Sequence, residues 1–155
     1  MQTTDIERIK STFSQMGNQE SRFDSLYRRA AASFGLTQCE MWIYYFLLLA
    51  PGEVTQYTVS SQMAFPKQTV NSAVARLATA GMVQLRQDLH DRKRKTLSLT
   101  PAGLGFAQKT VQRLVDAELS AAQHFGSEKL MLLNTLRKEY YELLEEVFEN
   151  GILTK

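Results

Sequence analysis

Residues 81–103 of the chain, GMVQLRQDLHDRKRKTLSLTPAG, decide the fold. Apolar and polar residues alternate at the two ends of this stretch, around a charged segment at positions 88–94. The pattern predicts a β-hairpin with a basic turn. Thr100 and Pro101 then mark a helix start, because Thr caps a helix and Pro is tolerated in its first turn.

Two short helices are predicted directly before the hairpin. Thr55 can cap the first, and Pro66 stands in the first turn of the second. The second helix turns one apolar side inward at helical spacing: Val70, Ala73, Val74 and Leu77. Its other side is polar and carries Lys67, Gln68, Thr69, Asn71, Ser72 and Arg76. Two short helices, a tight turn and a basic hairpin predict a winged helix-turn-helix.

Helical patterns also flank this region. Upstream, residues 5–16 and 19–34 predict two helices separated by Gly17-Asn18. Thr37, followed by Glu40, predicts a capping box at the start of an almost wholly apolar helix. Downstream, one helix is expected from Pro101 to about His124. A last helix is expected after it, capped by Ser127 and ended at Asn150-Gly151.

The charge is concentrated in one place. The chain has a net charge of +2, but residues 62–95 hold seven Lys or Arg against two Asp, a net +5. Such a window suits an anionic partner, and nucleic acid is the usual one, although a solvated basic loop would give the same count. No apolar run reaches the length of a bilayer span, and the single cysteine fits a reducing compartment. We therefore expect a cytoplasmic protein without a membrane partner.

The polar side of the second helix suits double-stranded DNA. Asn and Gln pair with adenine edges in the major groove, and Ser or Thr can serve any base. Lys67 and Arg76 flank these residues and suit phosphates or guanine. The basic run Arg92, Lys93, Arg94 can lie along the backbone or place a guanidinium in the minor groove.

The stretch from Val54 to Gly103 resembles the MarR family of bacterial regulators. The resemblance rests on Gly81-Met82-Val83, Arg86, Asp88, Asp91-Arg92 and the segment LSLTPAG at 97–103, with LTQ at 36–38 as a weaker match. The family usually has Arg two places after the second Asp, where this chain has Lys93. We expect Arg92 or Arg94 to take that role, and the resemblance adds Arg86 to the DNA contacts.

The resemblance implies a homodimer whose terminal helices intertwine, and the broad apolar faces of those helices agree. We thus predict one mainly α domain with a small β-hairpin wing: a winged helix-turn-helix at 36–100, flanked by helical dimerisation regions at 1–35 and 101–155. Such a dimer would read a pseudo-palindromic operator with half-sites ~34 Å apart. Repression is the family default and is adopted as the expected sign of regulation.

Members of the family often release DNA when a small aromatic molecule binds. An aromatic-rich set of residues is the candidate pocket here: Phe23, Tyr27, Trp42, Tyr45 and Phe46. Ordinary core packing explains the same residues. No cofactor, metal site or enzyme activity is expected, because the sequence has no phosphate loop, nucleophile elbow or zinc motif.

Two alternatives remain open at this point. Cys39 lies in the first turn of a capped helix, where the helix dipole lowers a thiol pKa, so a thiol-based redox sensor is conceivable; a buried structural thiol is favoured. A winged helix can also serve as a protein-interaction module without DNA binding. That module would need an apolar, uncharged face on the second helix.

Overall fold

The computed structural model describes residues 3–87 and 95–153, which form seven α-helices, three short strands and a terminal π-helical turn. The elements are α1 (Thr3–Ser33), α2 (Gln38–Leu49), β1 (Val54–Thr55), α3 (Gln56–Gln62), α4 (Lys67–Thr79), β2 (Val83–Gln87), β3 (Lys95–Leu99), α5 (Pro101–Lys109), α6 (Val111–Phe125) and α7 (Ser127–Phe148), followed by the π-turn Glu149–Leu153. The chain divides into two compact units, Met1–Leu114 and Val115–Lys155. The predicted class, mainly α with a small β wing, is confirmed.

The predicted break at Gly17-Asn18 is wrong, because α1 runs through it without interruption. An interior glycine costs a helix about 1 kcal/mol, which 31 residues of continuous hydrogen bonding tolerate. The helix ends at Ser33, and Gly35 follows with a φ of +72°, in the left-handed region. The N–H of Leu36 then donates to the Ala31 carbonyl at 3.0 Å, which closes the helix end.

The helix α2 is the centre of the first unit. The predicted capping box is present: the Thr37 side chain accepts the Glu40 N–H, and the Glu40 carboxylate accepts the Thr37 N–H. Its first turns are buried from Cys39 to Tyr44, as an all-round apolar helix requires. The core around it also takes residues from α3, α4, the sheet and α5: Val59, Val70, Ala73, Val74, Leu77, Val83, Leu97 and Ala107.

The predicted hairpin is formed by β2 and β3, with Val83 opposite Leu99 and Leu85 opposite Leu97. Strand β1 is not predicted from the sequence; it pairs with the other side of β3 and gives the order β1-β3-β2. Two residues carry too little alternation to predict a strand. The central position of β3 explains why Leu97 is buried.

The helices after the hairpin differ from the prediction in detail. Thr100 is the predicted N-cap, but the helix breaks at Thr110, so α5 and α6 replace one long helix. The N-cap of α7 is Gly126, not Ser127, because Gly126 has a φ of +100° that favours glycine. Likewise, Pro66 is the N-cap of α4 and lies one position before its first turn.

The start of α5 lies directly against the start of β2. The Met82 carbonyl accepts hydrogen bonds from the Thr100 N–H and hydroxyl, at 3.0 and 3.2 Å. A Cβ at Gly103 would overlap that carbonyl, whereas a Cβ at Gly105 would meet nothing. Gly103 thus allows the close contact between the wing and α5.

We predict that Gly103→Ala lowers the free energy of unfolding by about 1–3 kcal/mol, because the added methyl forces α5 away from β2. Gly105→Ala is the matched control. It lies in the same helix and should raise stability by about 0.5–1 kcal/mol through helix propensity alone. Denaturant unfolding at one protein concentration measures both. Equal midpoints for the two variants would contradict the account of Gly103.

Candidate nucleic-acid interface

The helices α3 and α4 form a helix-turn-helix whose turn is held by local contacts. Thr55 caps α3 through a hydrogen bond from the Thr58 N–H at 3.1 Å. The turn passes through Ala64, which has a φ of +51°, and the Ser60 hydroxyl donates to the Phe65 carbonyl at 2.8 Å. These contacts fix the angle at which α4 leaves the turn.

One side of α4 is buried and the other is exposed, as predicted. Val70, Ala73, Val74 and Leu77 lie in the core. The exposed side carries five polar residues without a side-chain hydrogen bond or ion pair to any residue in 3–87 or 95–153: Lys67, Gln68, Thr69, Asn71 and Ser72. An exposed row of unpartnered donors and acceptors can bind an external polar ligand. It lacks the apolar character that a protein-interaction face would need.

Arg76 lies on the exposed side of α4 and pairs with Glu40 of α2. Its Nε is 2.9 Å from Glu40 Oε1. Burial of Glu40 favours the protonated acid, but the N–H and hydroxyl of Thr37 and the guanidinium of Arg76 together outweigh it, so the pKa of Glu40 lies below its ordinary value. Glu40 is therefore an ionised, buried carboxylate that links α2 to α4.

Glu40 and Arg76 are both predicted from the sequence as residues with a role, but their pairing is not. Glu40 was predicted as half of a capping box and Arg76 as a DNA contact. The two residues are 36 positions apart, so no helical spacing relates them. Only the packing of α2 against α4 brings them together.

The predicted wing residues are only partly within the described ranges. Arg86 is exposed on β2, opposite Thr96, and no residue in 3–87 or 95–153 pairs with its side chain. Arg92, Lys93 and Arg94 lie outside the described residues. Their role stays a prediction from the sequence.

The five aromatic residues predicted as a ligand pocket contact one another in the first unit. Ring centroids are 4.6 Å apart for Phe23 and Tyr27, and 5.1 Å for Tyr27 and Trp42, which stack. Tyr45 and Phe46 approach Trp42 at 5.0 and 6.3 Å. We call these five residues the aromatic cluster. Trp42 is buried, and its Nε1–H has no hydrogen-bond partner in the described part of the chain.

The Cys39 side chain is buried, as the sequence analysis favours, but the expected fall in its pKa is wrong. Burial and the negative charge of Glu40 raise the pKa of the thiol to about 11. The positive charge of Arg76 acts in the opposite direction but is the smallest of the three effects. The thiolate is the reactive form of cysteine, and it is scarce at neutral pH with such a pKa. This environment does not favour a redox sensor.

Within residues 3–87 and 95–153, no three His, Cys, Asp or Glu side chains are grouped so that they could hold a metal ion. Among the helices of that part of the chain, none is both long enough and apolar enough to span a bilayer.

Comparison with known proteins supports the fold. The sequence profile described as "Sugar-specific transcriptional regulator TrmB" matches residues 31–96, which is less than half of the chain. No curated protein matches the sequence. Many solved structures match the structure of this chain, and the three described next match it at a probability of 1.00.

Three of these structures show the range. A MarR family regulator from Neisseria meningitidis has a TM-score of 0.80 at 21% identity, over 90% of this chain and 98% of that one. S. aureus MepR in its DNA-binding conformation has a TM-score of 0.71 at 15% identity, over 85% and 98%. The PcaV transcriptional regulator from Streptomyces coelicolor, in complex with its natural ligand, has 0.60 at 19% identity, over 81% and 91%.

This chain has the fold of MarR family regulators. The resemblance to the MarR family noted in the wing sequence is confirmed for the fold. The TrmB profile covers α2 to β2 and the first residues of β3, and its description also names a transcriptional regulator.

Proposed function

We propose that the protein is a sequence-specific, double-stranded DNA-binding transcriptional regulator of the MarR type, without enzyme activity. The exposed polar side of α4 carries the proposal, because its polar side chains from Lys67 to Ser72 have no partner in the described part of the chain and suit phosphates and base edges in the major groove. Gln68 and Asn71 suit adenine, and Thr69 and Ser72 suit any base.

Charge around α4 supports the same function. Lys67 begins the helix and Arg86 stands on the neighbouring hairpin, both exposed. Three further cations, Arg92, Lys93 and Arg94, are present in the sequence between β2 and β3. Phosphate contacts of this kind set affinity, while base contacts set specificity. Repression of transcription is the sign of regulation that we propose.

The first test is binding of the purified protein to the DNA upstream of its own gene and to a random duplex, over a salt series. We expect salt-dependent binding that prefers the upstream fragment. Asn71→Ala should reduce that preference by about 1–3 kcal/mol at particular base pairs. Asn18→Ala, an exposed Asn on α1, is the matched control and should change nothing.

Two results would count against this account. Absence of binding to any duplex at low salt would exclude DNA as the partner. An equal loss on both duplexes after Asn71→Ala would mean that Asn71 contacts only the backbone.

We also propose that the regulator is a homodimer. None of the 22 residues of α7 is buried, although an apolar stripe runs along it at steps of three and four residues: Leu133, Leu136, Tyr140, Leu143 and Val147. In the first unit, α1 exposes its own apolar residues Ile6, Ile9, Phe13, Phe23 and Leu26. Soluble proteins rarely leave such faces uncovered.

The charges on these two helices support a second copy as the covering partner. Residues 139–149, at the end of α7 and the start of the π-turn, hold five Glu and no Lys or Arg. On α1, Arg22 and Arg29 stand on either side of Leu26 at steps of four and three residues. Opposite charge beside apolar faces is the complementarity that a self-association surface uses.

We predict that Leu136→Asp combined with Leu143→Asp shifts the protein from dimer to monomer, because each buried Asp would lose solvation at the interface. Sedimentation equilibrium measures the mass. Tyr57→Asp, at an exposed aromatic of α3, is the control and should leave the dimer intact. A wild-type protein that is monomeric at micromolar concentration would contradict the proposal.

The finer part of the proposal is release from DNA by a small aromatic ligand at the aromatic cluster. The buried Trp42 Nε1–H lacks an acceptor within the described residues, and an aromatic carboxylate would supply one beside stacking rings. Simple core packing leaves that donor without a partner, which costs free energy. A ligand releases DNA only if it prefers the non-binding arrangement.

Trp42 is the only tryptophan of the chain, so its fluorescence reports directly on the cluster. We predict that millimolar benzoate changes this fluorescence and weakens DNA binding, and that glucose does neither. Tyr27→Ala should reduce the benzoate response, because the ring stacked on Trp42 is lost. No response to benzoate, or a response to glucose instead, would contradict an aromatic effector.

A further inference from the structure

We propose that Glu40 is a positioning residue for DNA binding: it holds the Arg76 side chain so that its terminal nitrogens face a DNA phosphate. The inference rests on the proposed DNA binding and adds a residue of α2, outside the helix-turn-helix, to the binding machinery. It comes from the geometry of three groups, Thr37, Glu40 and Arg76.

Arg76 binds Glu40 through a single nitrogen, Nε. Glu40 Oε1 accepts from Nε at 2.9 Å, which occupies one of the five N–H groups of the guanidinium. The other four, on the two terminal nitrogens, have no further partner in residues 3–87 and 95–153, and the side chain is 56% exposed. The ion pair therefore leaves the two-pronged end of the guanidinium available.

The Glu40 carboxylate is itself held in place by Thr37. Its other oxygen, Oε2, accepts the Thr37 N–H and the Thr37 hydroxyl, each at 2.8 Å. The Glu40 side chain is only 10% exposed. With both oxygens bound and the chain buried, the carboxylate has one orientation, so it fixes Arg76 to the first turn of α2.

Arg76 lies on the same exposed side of α4 as the residues proposed to contact bases. It follows Ser72 by four residues on α4, which places the two side chains on the same side of the helix. A planar guanidinium binds a phosphate through two parallel hydrogen bonds, and holding it beforehand reduces the conformational entropy lost on binding. An arginine fixed by its Nε is thus preorganised for a phosphate beside the bases read by α4.

The opposing effect is repulsion between the Glu40 carboxylate and the phosphate. Here the Glu40 carboxylate is buried behind Arg76, whose side chain is the exposed member of the pair, so DNA meets the guanidinium rather than the carboxylate. If Glu40 positions Arg76, removing the charge of Glu40 weakens DNA binding. If Glu40 mainly repels the phosphate, removing that charge strengthens DNA binding. The sign of that change distinguishes them.

The experiment measures binding to a mixed-sequence duplex over a salt series, since a phosphate contact does not depend on sequence. Four proteins are compared: wild type, Glu40→Gln, Arg76→Ala and the double variant. Arg76→Ala should reduce the salt slope by about one phosphate contact. Glu40→Gln, which keeps an acceptor for the Thr37 cap, should weaken binding about two- to fivefold.

The double variant carries the main test. If Glu40 acts through Arg76, Glu40→Gln causes no further loss of affinity in the Arg76→Ala background; any change there is a gain, because the carboxylate without Arg76 repels the phosphate. Asp24→Asn is the matched control, because Asp24 also accepts a hydrogen bond, from Gln38 at 2.8 Å, and lies beside Arg28. It removes one negative charge from α1 and should leave DNA binding unchanged.

Thermal unfolding of each variant checks that it is folded. If Glu40→Gln fails to fold, Arg76→Lys replaces it: it leaves Glu40 intact, removes the two-pronged group, and should also bind about two- to fivefold more weakly than wild type. Affinity that is unchanged or raised in Glu40→Gln, or a loss of equal size in both backgrounds, would overturn the inference while DNA binding stands. A wild-type protein that binds no duplex would overturn the proposed function itself.

Discussion

Burial of α2 is the constraint on which the rest of the first unit depends. This helix contacts α1, α3, α4, α5 and β3, and its residues Met41, Ile43 and Tyr44 are almost fully buried. Since its first half, Cys39 to Tyr44, is buried on every side, the neighbouring elements must cover that half completely. Their order around α2 decides which side of α4 faces outward.

The one charged residue of α2, Glu40, lies in its first turn, and its ion pair restricts how α2 is oriented against α4. Apolar burial alone specifies little about the rotation of one helix against another. The ion pair between Glu40 and Arg76 has a defined geometry and joins α2 to α4 at a single point. A buried carboxylate without its partner would be costly, so packings that separate the two residues are disfavoured. The same pair therefore restricts both the fold and the side of α4 that is exposed.

Patterns among neighbouring residues were enough to predict most of the helices and the hairpin. They were not enough to predict which of these elements contact one another. The caps at Thr37, Thr55 and Thr100 and the hairpin around residues 88–94 are read from neighbouring residues, and the described parts agree. Gly17 misled because a single glycine is a small cost in a long helix. The two residues of β1 acquire strand geometry only by pairing with β3, and Arg76 meets Glu40 only through packing. Both depend on contacts that no local spacing encodes.

Coupling of the proposed ligand site to the proposed DNA site needs a physical element that both share, and α2 carries a residue of each. Glu40, which holds Arg76, and Trp42, at the centre of the aromatic cluster, are two residues apart on this helix. Because α2 is closely packed, a ligand that displaced Trp42 could not be accommodated by a side-chain movement alone. A shift or rotation of α2 would carry Glu40 with it and change the distance to Arg76. The proposed effector response and the proposed positioning of Arg76 would then have one origin: the difference in free energy between two placements of α2, which the ligand and the DNA would favour in opposite directions.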